Sequence, residues 1–158
     1  MVFNETFAPV GKYAKSNAVM PCLWNESVAG RSANDIISCF HRVINHLSHP
    51  RNITFWLDNC SAQNKNWGLF LHLILLVNSP IIQVNEIVLK FFEPGHTFIA
   101  ADSFHAAVEK AMRTAPPVTF EEFVDVVKIA KKKVDVLNME ATNFFKPTFN
   151  VIQYTLNQ

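Results

Sequence analysis

The chain has 158 residues, the size of one domain, and its 49% hydrophobic and 17% charged content excludes an intrinsically disordered protein. The net charge of +1 removes the simplest argument for nucleic-acid binding without ruling it out. The longest apolar run, Leu69–Val77, is far shorter than the roughly 20 residues of a membrane-spanning helix and predicts a buried core helix. Cys22, Cys39 and Cys60 show no CxxC or Cys/His spacing, which favours reduced thiols in the nucleus or cytoplasm.

The first third of the chain predicts a hairpin followed by a helix. Val2–Phe7 and Ala18–Trp24 have strand-like character and are joined by a polar link, which is typical of an antiparallel pair. Ser32 is a plausible N-cap, with Asp35 three residues later. The helix that follows has one apolar stripe and is ended by Pro50. The stripe consists of Ile36, Ile37, Phe40, Val43, Ile44 and Leu47.

The middle of the chain predicts a strand, a helix and a second strand. Ile53–Leu57 alternates in the manner of a strand, a helix is expected from about Lys65 to Val77, and Glu86–Phe92 forms the next strand. Strands that alternate with helices indicate an α/β fold. We therefore expect the two strands to be parallel and joined by a right-handed crossover.

The last third predicts two helices and two short strands. A helix is expected over Ala101–Arg113, and Thr119 with Glu122 forms a capping box for another helix that reaches about Lys133. Strands are possible near residues 134–139 and 148–155. The lysines at 131–133 are interpreted as a solvated helix end, with a phosphate contact as the alternative.

Asp58 and Asp102 are the carboxylates most suited to chemistry. Asp58 follows the strand Ile53–Leu57, and ligands of open α/β sheets collect beyond the carboxyl ends of strands. Asp102 stands near the start of the helix after the next strand. Two such carboxylates, with waters and a phosphate, would suit Mg²⁺. The alternative is that Asp58 only caps a turn.

Further polar residues flank this pair along the chain. His105 and Glu109 share a helix face with Asp102. His105 could shuttle a proton or merely bond a neighbour, and Glu109 could act as another carboxylate. His96 could face a substrate or bond within its turn.

Three amides follow Asp58 at the start of the next predicted helix. Gln63, Asn64 and Asn66 could bind a phosphate together with the helix N-terminus. They could equally satisfy local backbone groups. The sequence leaves both interpretations open.

Four sequence blocks together resemble a transposase-derived domain of the DDE/RNase H-like class. They are LWNE at Leu23–Glu26, GRSANDIIS at Gly30–Ser38, LDNCSAQNKN at Leu57–Asn66 and EPGHTFIAADSFHAAVEK at Glu93–Lys110. The resemblance covers Val2 to about Arg113. It implies a mixed sheet in the order 3-2-1-4-5 flanked by helices, with Asp58 as the second acid and Asp102, or its rival Glu109, as the third. It also implies two-metal phosphodiester chemistry on DNA with Mg²⁺ or Mn²⁺.

The chain departs from this class at strand 1, which carries the first acid and should precede Val2. Either this sequence is a fragment of a longer product, or Val2–Phe7 takes the central place in the sheet. In the second case Glu5 would substitute for the first acid, with Glu26 a weaker substitute. Loss of a central strand would leave two half-sheets with unpaired edges. We therefore predict a partial RNase H-like core over residues 1–115 and an extension of the same domain over 116–158.

Two functions follow from these expectations. The first is a DDE-type nuclease or strand-transferase ancestry, with this chain inactive because it lacks the first acid. The second is a non-catalytic remnant that binds nucleic acid or protein. With only four glycines and no Gly-rich phosphate loop, no nucleotide cofactor is expected. We expect DNA as the partner, no membrane association and a nuclear or cytoplasmic location, and self-association is left open.

Overall fold

The computed structural model describes residues 1–47, 52–58, 65–93 and 100–145. Over these residues the chain is mixed α/β, with four α-helices and five short strands in two sheets. The elements are β1 (Val2–Phe7), β2 (Met20–Asn25), α1 (Ala33–His46), β3 (Asn52–Leu57), α2 (Trp67–Val77), β4 (Glu86–Phe91), α3 (Ala100–Thr114), α4 (Phe120–Ile129) and β5 (Leu137–Asn138).

The first sheet has the order β1-β2-β5. β1 and β2 pair antiparallel, as predicted, while β5 pairs parallel to β2 with Cys22 opposite Leu137. The carbonyls of Val19, just before β2, and of Leu23 accept hydrogen bonds from Asp135 N and Met139 N on the β5 side. Bonding partners alternate along a strand, so the residues of β2 that bond to β5 do not also bond to β1. By the same alternation, the even-numbered residues of β1 direct their backbone N–H and C=O groups away from β2, to the outer edge of the sheet.

The second sheet pairs β3 with β4. The two strands are parallel over their whole length, from Asn52 opposite Glu86 to Leu57 opposite Phe91. The parallel pairing of these strands through a helix is therefore confirmed. No strand in the described ranges pairs with both β1 and β3, so Val2–Phe7 does not take a central place between the sheets.

Helix α1 joins the two sheets through aromatic packing. Ser32 and Asp35 form the predicted capping box, and the apolar stripe of α1 is buried. The Phe40 ring lies 5.0 Å from that of Phe7 on β1 and 5.1 Å from that of Phe55 on β3, measured between centroids. Phe7 and Phe55 are themselves 6.1 Å apart. These three rings are thus a hydrophobic bridge between sheets that share no backbone pairing in the described part of the chain.

A second core cluster lies on the opposite face of the first sheet. Because alternate residues of a strand face opposite sides, Leu23 points away from the α1 side that Cys22 and Trp24 occupy. It packs with Phe104 and Val108 of α3 and with residues of α4. α4 begins at the predicted Thr119–Glu122 capping box. Helices therefore cover both faces of the β1-β2 hairpin.

Two predicted helices differ from those observed. α4 was expected to reach about Lys133 but ends at Ile129, because the Lys133 carbonyl accepts a hydrogen bond from Val19 N, which draws the backbone beside β2. α2 was expected to be a buried core helix, but only Leu69, Leu73 and Leu76 are buried. Packing on α1 and β4 covers one face of α2 and leaves the other exposed.

Other expectations fall partly outside the described ranges. Pro50 and the strand expected near residues 148–155 are among the residues outside them. The strand expected near 134–139 is present as a bridge at Val134 and as β5. No helix in the described part of the chain is long and apolar enough to cross a membrane.

Candidate functional site

The predicted site residues with described positions lie on β3 and α3. Asp58 directly follows β3 and is half-buried, while Asp102, His105 and Glu109 lie along α3. Gln63, Asn64 and His96 lie outside the described residues, so their predicted substrate contacts stay predictions.

Glu5 brings a carboxylate of the first sheet toward Asp58. Its side chain, on β1, is only 24% exposed, and Oε2 lies 3.7 Å from an Arg31 guanidinium nitrogen. Burial raises the pKa of Glu5 above its usual range, and the charge of Asp58 raises it further, while Arg31 opposes both effects. Glu5 lies on β1 and Asp58 directly follows β3, so the two acids come from separate sheets.

His105 joins α3 to the face of β1 opposite to that of Glu5, because alternate residues of a strand face opposite sides. Its Nε2 lies 3.0 Å from the hydroxyl oxygen of Thr6 on β1. The Thr6 hydroxyl donates its hydrogen to Oδ1 of Asn4, over 2.8 Å. His105 Nε2–H must therefore be the donor to Thr6, which leaves Nδ1 as the basic nitrogen of the neutral ring.

The pKa of His105 reflects the charges around it. Burial lowers this pKa below its ordinary value, and the nearby Arg31 lowers it too. The carboxylates of Asp102 and Glu109 act in the opposite direction. Burial prevails, so the imidazole is neutral at pH 7 and able to accept a proton.

Arg31 is the site residue that sequence reasoning missed. It immediately precedes the N-cap of α1, and in the sequence it stands only within the block Gly30–Ser38, with no role of its own. In the structure its guanidinium pairs with Glu5, and its charge lowers the pKa of His105. Its half-exposed guanidinium is suited to a phosphate oxygen. The available signal was a lone cation in a stretch of small and polar residues, which is a weak one.

The donor atoms at this location fit a hard cation in type. Carboxylate oxygens suit Mg²⁺, which commonly takes only one or two protein carboxylates and completes its shell with water and phosphate. Within the described ranges no three or more His, Cys, Asp and Glu side chains are grouped so as to hold an ion. A magnesium ion would therefore depend on Asp58, Asp102 and oxygens from solvent or substrate.

Asn66 bonds a local backbone group, which is one of the two roles predicted for its side chain. Its Oδ1 accepts a hydrogen bond from Leu69 N at 2.9 Å, which makes it the N-cap of α2. The helix therefore begins at Trp67, two residues later than the predicted Lys65.

A second titratable pair lies away from these acids, between α1 and α2. His41 Nδ1 and His72 Nε2 are 3.2 Å apart, and the Phe145 ring packs against both imidazoles. Burial lowers the pKa of His41. Burial and the neighbouring His41 lower the pKa of His72 to about 4. In the sequence His72 stands inside the apolar run Leu69–Val77, where nothing indicates that it meets another histidine.

Comparisons with known proteins find a family but no individual relative. Neither the curated proteins nor the solved structures contain a match to this chain. A family whose description is "Domain of unknown function (DUF7869)" matches residues 15–157. That span includes every described element from β2 to β5, together with Asp58, Arg31 and the polar residues of α3. The chain belongs to the DUF7869 family.

Proposed function

We propose that this chain is a transposase-derived domain of the RNase H-like class, with a carboxylate site that acts on nucleic acid. In the order 3-2-1-4-5 of that class, β2 would be strand 3, β1 would be strand 2, β3 would be strand 4 and β4 would be strand 5. The antiparallel β1-β2 pair and the parallel β3-β4 pair are compatible with that assignment. The central position would lie between β1 and β3, where the Phe7 and Phe55 rings meet.

The observation that carries the proposal is the contact between β1 and β3: the Phe7 ring, two residues from Glu5, lies 6.1 Å from the Phe55 ring, three residues before Asp58. Such a contact is what is expected where two sheets of such a domain present their carboxylates, and the charge of Asp58 contributes to the raised pKa of Glu5. Glu5 is the candidate to take the role of the first acid. Asp102 is the proposed third acid, with Glu109 as its rival on the same face of α3.

Asp58 and Asp102 would hold Mg²⁺ or Mn²⁺. A bound ion of this kind activates a water or hydroxyl and stabilises the leaving oxygen of a phosphodiester. The residues of the chain would do the rest: Arg31 would bind a phosphate oxygen, and neutral His105 would accept a proton at Nδ1. With DNA as the proposed partner, a nuclear location is proposed, and the cytoplasm is the alternative.

The first test is a Mn²⁺ titration followed by thermal unfolding. A ligand that binds only the folded state raises its stability with concentration. The parent chain is expected to unfold at a higher temperature as Mn²⁺ increases, and the double variant Asp58→Ala with Asp102→Ala is expected to lose this response. The matched control removes two exposed acids of α4, Glu121→Ala with Asp125→Ala, and should respond as the parent does.

The result also decides whether catalysis should be sought. If the parent and the Asp58/Asp102 variant respond alike, these acids do not share a metal site and the metal proposal fails. If only the parent responds, cleavage of labelled DNA with Mn²⁺ is the next measurement, with Glu5→Gln as the test for the first acid. A parent that binds Mn²⁺ but leaves DNA intact supports an inactive nuclease core, in which Glu5 does not serve as the first acid.

A non-catalytic nucleic-acid-binding module is the second candidate, and the Arg31–Glu5 ion pair favours it. A guanidinium next to the carboxylate already balances its charge without a metal ion, and it offers donors to a phosphate. This candidate predicts DNA binding that persists when metal is removed with a chelator. Arg31→Ala should weaken that binding at low salt, while Lys128→Ala, an exposed cation on α4, should have no comparable effect.

A further inference from the structure

The exposed side of α2 is a large apolar surface. Trp67 is 80% exposed, and Leu71, Ile74 and Leu75 are each more than half exposed. Their offsets of four, seven and eight from Trp67 place them on one helix face. The buried Leu69, Leu73 and Leu76 occupy the opposite face. We call the four exposed side chains the α2 surface.

A groove lies directly beside the α2 surface. It has a volume of about 390 Å³ and runs between α2 and β4. Ile74 belongs to both the groove and the α2 surface, so the two are continuous. Its lining is mainly apolar and includes Phe70, Leu73, Val77, Ile87 and Leu89. Protruding side chains and a receptive groove therefore occur on the same side of the molecule.

The charge pattern limits what can cover this surface. Residues 66–85 contain no Asp, Glu, Lys or Arg, so His72 is the only side chain there that titrates near neutrality. Nucleic acid binds through cations, and helices that lie on membranes carry Lys and Arg along their polar face. The α2 surface offers neither. Glu86, at the start of β4, lines the groove beside it. The partner at the α2 surface itself must be apolar, as that surface is.

We infer that the α2 surface is the interface of a two-fold symmetric dimer of this chain. In such an interface each copy contributes the same patch, so a protruding group must meet a recess in that same patch. Leu71 and Leu75 of one copy would enter the groove beside α2 of the other, and the reverse contact follows by symmetry. Trp67 would be covered at the edge of the contact.

The area is sufficient for a specific dimer. The exposed parts of the four side chains amount to roughly 500 Å² per copy. Two copies would then bury about 1,000 Å² in total, which reaches the lower limit for a specific protein interface. A continuous apolar patch of several hundred Å² is often functional where a protein exposes it.

The test is the mass of the chain in solution over a range of micromolar concentrations, measured by sedimentation velocity. The parent is expected to shift from the monomer toward twice its mass as concentration rises. Leu71→Lys with Leu75→Lys should remain monomeric, because two charges would be buried in the contact. Ile129→Lys, an equally exposed apolar residue at the end of α4, is the matched control and should dimerise as the parent does.

A second measurement on the parent alone covers the case in which the double variant does not fold. Amide hydrogen exchange over residues 67–77 should slow at high concentration relative to low, while exchange in α4 should not change. A parent that stays monomeric throughout overturns the inference. So does a dimer in which α2 exchange is independent of concentration, or a series of ever larger species, because a two-fold interface closes at two copies.

Discussion

At the scale of single residues, the His41–His72 pair makes stability depend on pH. In the folded state the pKa of His72 is about 4, against 6.5 for the free side chain, and the pKa of His41 is also lowered. Between pH 4 and pH 6.5 the unfolded chain therefore binds more protons than the folded chain. Folding stability should therefore be lost as pH falls from about 6.5 toward 4.

Replacing His72 by Leu should reduce this loss. After allowance for solvent screening of a half-exposed ring, the reduction is expected to be about 1 to 2 kcal/mol between pH 7 and pH 4. Urea unfolding at a series of pH values measures it. His46→Leu is the control, since His46 bonds Asp135 at 2.7 Å and lies outside the pair. Equal losses in the parent and in His72→Leu would contradict the assignment.

Glu5 should make the stability of the fold depend on pH in the opposite direction. Burial raises its pKa, so its contribution to stability is present below about 4.5 and is lost as pH rises through the folded-state value. Glu5→Gln is therefore expected to stabilise the chain at pH 8, by about 1 kcal/mol or less, and to have little effect at pH 4. Urea unfolding at both pH values measures this difference. The control is Glu121→Gln, at an exposed acid of α4, and a difference of the same size there would contradict the role of burial.

The contacts between individual site residues were the part of the site that the sequence predicted least. Asp58, Asp102 and His105 could be selected from their positions at element ends and on one helix face. Arg31 and the His41–His72 contact could not, because each depends on elements far apart in the chain. The 3.2 Å between the imidazoles joins residues 31 positions apart, and no local pattern encodes it.

At the scale of elements, Asn66 allows capping to be separated from substrate binding. Asn66→Ala should lower stability by about 1 kcal/mol because α2 loses its N-cap, whereas Asn66→Ser should keep most of the stability, since Ser caps equally well and adds no charge. Thermal unfolding measures the first effect, and DNA binding is measured in parallel. If Asn66→Ser binds DNA as the parent does, the amide is not needed for DNA binding. Weaker binding by a stable Asn66→Ser variant would support substrate contact.

The elements themselves were largely predictable, and their ends were not. Capping boxes at Ser32 and Thr119 located the starts of α1 and α4 because the signal lies within four adjacent residues. The end of α4 depended instead on a hydrogen bond between Val19 and Lys133. The exposure of α2 depended on how many other helices and strands pack around it, which its mainly apolar sequence does not reveal.

At the scale of the whole molecule, Phe40 should determine whether the two sheets unfold together. Phe40→Ala removes the ring that contacts both Phe7 and Phe55, and we expect a loss of about 3 to 5 kcal/mol. Hydrogen exchange should then show β3 and β4 opening at lower denaturant than β1 and β2. Phe104→Ala, an equally buried phenylalanine of the other core cluster, should cost a similar amount while the sheets still open together. Simultaneous opening in Phe40→Ala would contradict the bridging role.

The fold class followed from the alternation of strands and helices, and the parallel pairing of β3 with β4 followed from the helix between them. The separation into two sheets was expected only as the consequence of an absent central strand. The pairing of β5 with β2 was not predicted, because a two-residue strand gives no periodic signal.

The β2–β5 pairing has a consequence for the chain while it is being synthesised. Leu137 follows its partner Cys22 by 115 residues. A ribosome adds about 5 to 20 residues per second, so β2 waits roughly 6 to 23 seconds for the strand that covers its second edge. During that interval the nascent hairpin presents unpaired backbone groups to every other emerging chain. Early folding of this protein should therefore depend on chaperones that hold extended segments, in a way that the finished molecule no longer does.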